Sequence, residues 1–152
     1  MLRPAHPFDV LIVEDEALLI MDLEAMIEDA GHAVVAEASS LNEVSRLSPG
    51  LAPDIAFVDI QLAEQSSGLD VCIFLKDRWP ETAVVFLTAN PKMIPEDFLG
   101  AHGVIPKPFS RSGLMSAMRF IEQGITDPPP ALGMPPSFIP APHIAQAWGR
   151  RV

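Results

Sequence analysis

The sequence predicts an α/β protein built on a doubly wound, five-stranded parallel sheet with helices on both faces. Three observations predict it. Short β-type runs alternate with longer helical patterns from Phe8 to about Gln123, the order that makes parallel strands joined by crossover helices. The runs are nearly continuous in apolar residues, as strands covered on both faces require. Residues of useful chemistry stand directly after the runs, at the strand ends where such sheets form their crevice.

The elements follow in chain order. Phe8-Asp9-Val10-Leu11-Ile12-Val13 forms the first strand. The helical pattern behind it has Leu18, Met21, Met26 and Ile27 among its apolar positions and stops at Gly31, a residue suited to the turn past a helix end. Ala33 to Ala38 forms the second strand, and Ser39 or Ser40 caps a short helix that ends before Pro49 and Gly50. Ile55-Ala56-Phe57-Val58 runs into Asp59 as the third strand. After a polar loop with Gly68, Leu69 to Trp79 reads as a helix closed by Pro80. Thr82 to Leu87 makes the fourth strand, ending at Thr88, and Pro91 to Gly100 a weaker, shorter fourth helix. Val104-Ile105 is a short fifth strand, and Ser110 caps a last helix in which Leu114, Met115, Met118 and Ile121 fall at core spacing.

Composition bounds the function. The 152 residues are 49% hydrophobic and 20% charged, enough for one domain with a proper core. A net charge of -10 disfavours nucleic acid, which demands a basic surface, and disfavours anionic membranes, while suiting a divalent cation or a basic partner. The one cysteine, Cys72, permits no intrachain disulfide and sits in an apolar run as a buried thiol. No signal-peptide core precedes Phe8 and no apolar stretch has the length of a membrane span, so a cytoplasmic protein is expected. Residues 1–7 read as a lead-in, 8–124 as the domain, and 125–152 as a proline-rich tail with no output domain. That tail holds seven of the sixteen prolines, which favours an extended chain over a packed one. A disordered tail is the simpler expectation; the sharper alternative is that Ile144, Ala147 and Trp148 form an apolar turn docked over the last helix.

The strand ends carry Glu14-Asp15-Glu16, Asp59, Thr88 and Lys107. Carboxylates converging there make a hard oxygen site suited to Mg²⁺. A carboxylate also attacks phosphorus to form an acyl phosphate, whose charge a metal, an ammonium and a hydroxyl would stabilise. Taken alone, the acidic cluster is equally what a helix N-terminus favours, whereas a cap is the lesser reading of Thr88 and of Asp59. Their coincidence on one sheet edge decides for chemistry. His6, His32, His102 and His143 lack metal-ligand spacing and read as turn or surface residues.

These residues carry a resemblance to the receiver-domain family of bacterial two-component response regulators. Val10-Leu11-Ile12-Val13-Glu14-Asp15-Glu16 resembles its acidic first-strand motif, and Ile55 to Asp59 its phosphoacceptor strand. Val85-Phe86-Leu87-Thr88-Ala89 resembles the strand with the switch hydroxyl, and Gly103 to Phe109 the lysine-proline motif. The resemblance covers roughly residues 8–124. It implies the flavodoxin-like strand order 2-1-3-4-5, Asp59 as phosphoacceptor, and Thr88 and Lys107 turned to the phosphoryl group. It implies Mg²⁺ held by Asp15, Asp59 and the Gln61 backbone carbonyl, with Glu14 acting through water, and a cis Lys107-Pro108 bond. One departure stands out. Val104 occupies the position where the family usually carries an aromatic switch residue, and the chain has no tyrosine. The output is then expected from the Thr88 loop and the Pro91–Gly100 helix, and Gln61 and Asn90 are candidates for setting acyl-phosphate lifetime.

The implied function is that of a single-domain response regulator, not an enzyme in the usual sense, accepting a phosphoryl group from a histidine kinase or histidine phosphotransfer protein. A protein target at the fourth-helix and fifth-strand surface is a further expected partner. Three rivals are weaker. A haloacid-dehalogenase-type phosphatase wants a second acid where Gln61 stands. A receiver-like adaptor that is never phosphorylated would not need the full acidic, threonine and lysine set. A flavodoxin-like cofactor binder would want a phosphate loop after the first strand, and none is evident.

Overall fold

A computed structural model describes residues 7–149; residues 1–6 of the expected lead-in at 1–7, His6 included, lie outside the described residues. The sheet contains β1 (Asp9–Val13), β2 (Ala33–Ala38), β3 (Ile55–Asp59), β4 (Ala83–Thr88), β5 (Gly103–Pro106) and β6 (Ile139–Pro140), in the order β2-β1-β3-β4-β5-β6. The first five are parallel, with the order expected; β6 runs antiparallel to β5. The five-stranded sheet of the sequence reading thus gains a sixth strand from the tail.

The helices are α1 (Ala17–Asp29), α2 (Leu41–Ser45), α3 (Gly68–Arg78), α4 (Arg111–Thr126) and α5 (Pro142–Trp148). Local chemistry sets their ends. Ser40, Ser67 and Ser110 each accept a backbone N–H from the first turn of the helix they precede, satisfying donors that a helix start leaves open. Residues of alternate parity along the central strands feed two cores. One lies under α1, α4 and α5 and includes Ile12, Phe57, Leu87, Ile105, Leu114 and Phe120; the other lies under α2 and α3 and includes Leu11, Val58, Val71, Cys72, Leu75 and Phe86. Burial pushes the Cys72 thiol up to about 12, leaving it an inert core group.

Two expectations are corrected. Pro91 to Gly100 does not form an α-helix: Pro91–Met93 and Phe98–Gly100 are separate 3₁₀ turns. Pro95 drives Ile94 into an extended conformation, and Phe98, Leu99 and Gly100 all take positive φ. The tail is packed over Phe138 to Trp148, which corrects the simpler expectation of a disordered chain. Phe138, Ala141, Ile144 and Trp148 are all buried in the α1/α4 core. Each of the three large side chains contributes roughly 1.5–3 kcal/mol by leaving water, enough to outweigh the extended bias of the prolines. Gln123 Oε1 on α4 accepts the Ala131 and Leu132 amides and seats the proline-rich turn that leads there.

His32 stands at the expected turn between α1 and β2 and His102 in the loop before β5, and both rings are drawn inward. His32 is buried: its Nδ1 accepts the Phe8 amide at 2.9 Å, its ring stacks on Phe8, and Nε2 lies 3.5 Å from Glu122. Burial holds its pKa below the ordinary value despite the nearby Glu122. The His102 ring lies 5.3 Å from that of Trp148; burial first, then Lys76 and His143, lowers its pKa to about 4.

Candidate functional site

The carboxyl ends of β1, β3, β4 and β5 meet in an open cleft of about 360 Å³ lined by Asp15, Asp59, Gln61, Thr88, Asn90 and Lys107 among others. Parallel pairing puts these residues on one edge, and the registers Asp59↔Leu87 and Thr88↔Pro106 align the strand ends.

Each acid has a different setting. Glu14 is fully enclosed. Its Oε2 accepts the amides of Asp15 and Glu16 at 2.9 and 3.2 Å, and its Oε1 accepts Lys107 Nζ at 3.0 Å. Burial, reinforced by neighbouring Asp59, pushes its pKa up to about 7 against the opposing pull of Lys107. Asp15 is exposed to the cleft. Asp59 is 6% exposed; Oδ1 accepts the Gln61 amide at 3.2 Å and Oδ2 accepts Lys107 Nζ at 3.0 Å. Burial works against the Lys107 ammonium, but hydrogen bonds and charge from Asp59 and Glu14 outweigh it and hold its pKa above the ordinary value.

Thr88 ends β4 almost fully buried, and its Oγ1 accepts the Asn90 amide at 3.0 Å. The Lys107-Pro108 peptide is cis. Gln61 bridges to Ser67 across the loop after β3. All six residues named from the sequence therefore line or adjoin one cleft. Carboxylate oxygens of Glu14, Asp15 and Asp59 lie within 4.8 Å of one another, a donor set that fits a hard divalent cation. Val104 is fully buried in β5.

Gly68 is a site residue that the sequence reading passed over as loop. A Cβ there would stand 2.1 Å from the Asp59 carbonyl oxygen and 2.7 Å from Ile60 Cα, and its amide donates to the Ile60 carbonyl at 2.7 Å. Only glycine allows α3 to start directly beneath Asp59. Its signal was a lone glycine between a polar loop and a helix that follows an acidic strand end.

The comparisons agree with this fold. The family model for the response regulator receiver domain matches residues 10–119. The phyllosphere-induced regulator PhyR of Methylorubrum extorquens is 38% identical over 124 residues, covering 76% of this chain and 45% of that protein. The solution structure of the PhyR receiver (REC) domain of Erythrobacter litoralis aligns with a TM-score of 0.66 at 27% identity, covering 83% of this chain and 97% of that one. A crystal structure of PhyR from Bartonella quintana, described as an anti-anti-sigma factor, aligns with a TM-score of 0.62 at 31% identity over 79% of this chain and 48% of that one. The chain thus spans about half the length of the PhyR proteins it matches. Among the described residues no helix is long and apolar enough to cross a membrane. With the receiver model matching most of its length, the chain belongs to the response regulator receiver family.

Proposed function

We propose that Asp59 accepts a phosphoryl group from a phosphohistidine on a histidine kinase or phosphotransfer protein. The observation that carries this reading is the Lys107 ammonium, 3.0 Å from both Asp59 Oδ2 and Glu14 Oε1 at the mouth of the cleft. An Asp59 oxygen forms the new P–O bond as the N–P bond breaks in line, and the donor imidazole keeps the electron pair. Lys107 follows the charge onto the phosphoryl oxygens, and the Thr88 hydroxyl turns from the Asn90 amide to donate to one of them. Asp15, Asp59 and the Gln61 carbonyl would hold Mg²⁺, which supplies charge neutralisation, with Glu14 as a water-mediated neighbour.

The donor's approach is supported on one side of the cleft. Leu18 and Met21 on α1 are 76% and 64% exposed, too much for core residues, and each precedes a residue, Leu19 or Asp22, that lines a groove with Glu16, Lys107 and Phe109. A partner helix with an apolar face fits there.

The output runs through protein contacts or phosphate flow, as a phosphorelay shuttle or phosphate sink, and not through DNA; the net charge of -10 supports this. The expected target surface at the fourth helix and fifth strand is altered, because that helix is two turns and β6 takes the outer edge of β5. An adaptor reading is favoured by the Bartonella quintana relative's description as an anti-anti-sigma factor.

The test is intact mass after incubation with acetyl phosphate and Mg²⁺. One added phosphoryl group, lost in Asp59→Ala and with chelator, is expected. No gain in the wild type, with beryllofluoride also silent by NMR, would leave a receiver-shaped binding module instead.

A further inference from the structure

The tail segment Ser137–Trp148 is fitted to the domain by two glycines. A Cβ on Gly124 of α4 would stand 2.5 Å from the Trp148 indole, and one on Gly103 of β5 would stand 2.5 Å from the Ile139 carbonyl and 2.6 Å from the Phe138 ring. A glycine inside a helix weakens it, and the three nearest neighbours of a Cβ at Gly124 are all Trp148 ring atoms. Trp148 also meets Phe120 edge-on at 5.7 Å, and Phe138 lies 5.9 Å from the same ring.

This strap shares its seat with the site. β5 is four residues long. Its inner edge pairs with β4 up to Thr88↔Pro106, and the Lys107 amide then donates to the Thr88 carbonyl at 2.8 Å. Its outer edge pairs with the strap through Gly103↔Pro140 and Val104↔Ile139, and the Ala141 amide donates to the His102 carbonyl at 2.8 Å. Ser137 Oγ donates to the Gly113 carbonyl at 2.7 Å in the first turn of α4. Between the Pro106–Phe109 loop and Pro136–Ser137 lies an open groove.

We infer that docking of the Ser137–Trp148 strap is coupled to occupancy of the Asp59 site through β5 and the Lys107–Phe109 loop, and that filling the site loosens the strap. The inference rests on the phosphoacceptor reading. Its direction comes from the sheet order. Lys107 is drawn toward β1 and β3, where Glu14 and Asp59 stand, whereas the strap lies on the far edge of β5. A phosphoryl group placed between Asp59 Oδ2 and Lys107 Nζ, which now stand 3.0 Å apart, pushes the loop back toward that far edge and crowds the Pro136–Ser137 wall. Val104, in place of an aromatic residue able to swing, leaves β5 and its loop as the part that moves.

Coupling between two sites is reciprocal, so it is read from both ends. With Mg²⁺ and beryllofluoride, hydrogen exchange of the Ala141, Ala145 and Gly149 amides is expected to rise about tenfold, within the usual range of such coupling. Fluorine NMR of bound beryllofluoride reports site filling independently. A filled site with unchanged strap exchange overturns the coupling and leaves the phosphoacceptor reading standing; a site that never fills overturns both. From the other end, Gly124→Val ejects Trp148 and Trp148→Ala removes it without added bulk, and neither touches the cleft. Each is expected to tighten beryllofluoride binding severalfold. Unchanged binding in a folded Trp148→Ala protein overturns the inference even where Gly124→Val fails to fold.

Discussion

Glu14 and Asp59 share one ammonium: Lys107 Nζ stands 3.0 Å from an oxygen of each. Two acids on neighbouring strands repel each other, and the lysine offsets that repulsion without removing the burial cost of Glu14. The site is thus held under electrostatic strain that added positive charge relieves, a sensible resting state for a cleft that receives a cation and an anion together.

Lys107→Met removes the shared cation. Phosphorylation from acetyl phosphate is expected to slow by roughly a hundredfold or more, the scale of losing one charge-stabilising donor. The rate of mass gain checks it.

Glu14 makes stability depend on pH. Its folded pKa of about 7 lies above the ordinary 4.5, so the folded state binds this proton more tightly than the unfolded state. The associated stability is fully present below about pH 4.5 and is lost as pH rises through 7. The shift corresponds to roughly 3 kcal/mol. Glu14→Gln should therefore gain stability over the wild type at pH 8 and lose that advantage near pH 4.5, measured by urea unfolding with chelator present. Asp59→Asn removes the neighbouring like charge, so the Glu14 titration seen by carbon NMR should move down.

Thr88→Ala leaves the Asn90 amide without its acceptor and removes the hydroxyl from the cleft. A roughly tenfold or greater loss in phosphorylation rate is expected, as for one donor to developing charge. Thr88→Ser should recover most of it, which separates the hydroxyl from the packing of the methyl.

Gly68→Ala forces a methyl into the Asp59–Ile60 backbone, which has no side-chain flexibility to yield. A loss of about 2–4 kcal/mol in urea unfolding is expected, on the scale of a strained close contact, together with weakened phosphorylation because Asp59 itself shifts.

Trp148→Ala opens a hole against Phe120 and Gly124. A destabilisation of about 2–4 kcal/mol is expected, somewhat below that of a deeply buried Trp. A tail packed only loosely would lose far less, and urea unfolding distinguishes the two.

Much of this was legible because period and position carry it. The apolar runs around Val10, Phe57 and Phe86 mark buried parallel strands, and the residues that follow such runs arrive at one edge by topology alone. Hence Glu14, Asp15, Asp59, Thr88 and Lys107 were identifiable before any coordinate was known. The end of α1 at Gly31 and the caps at Ser40 and Ser110 depend only on neighbouring residues, and they too were readable.

Other features depend on distant partners. Leu18 and Met21 look like core residues by type, yet only the packed helix shows them facing outward. The Pro91–Gly100 segment has helical spacing, but Pro95 and the left-handed Phe98-Leu99-Gly100 turn override it once β4 and β5 hold its ends. The tail's prolines argue for an extended chain; what seats Trp148 is a vacancy over Gly124 that exists only when α4 and β5 stand side by side. Sequence alone determined which residues reach the cleft edge, because local patterns and parallel crossovers bring every such strand end to one side, while the order of the strands came from the family resemblance. Which side chains share Lys107, which glycines are clefts for other residues, and whether the tail packs were decided by tertiary structure, because each is a contact between segments far apart in the chain.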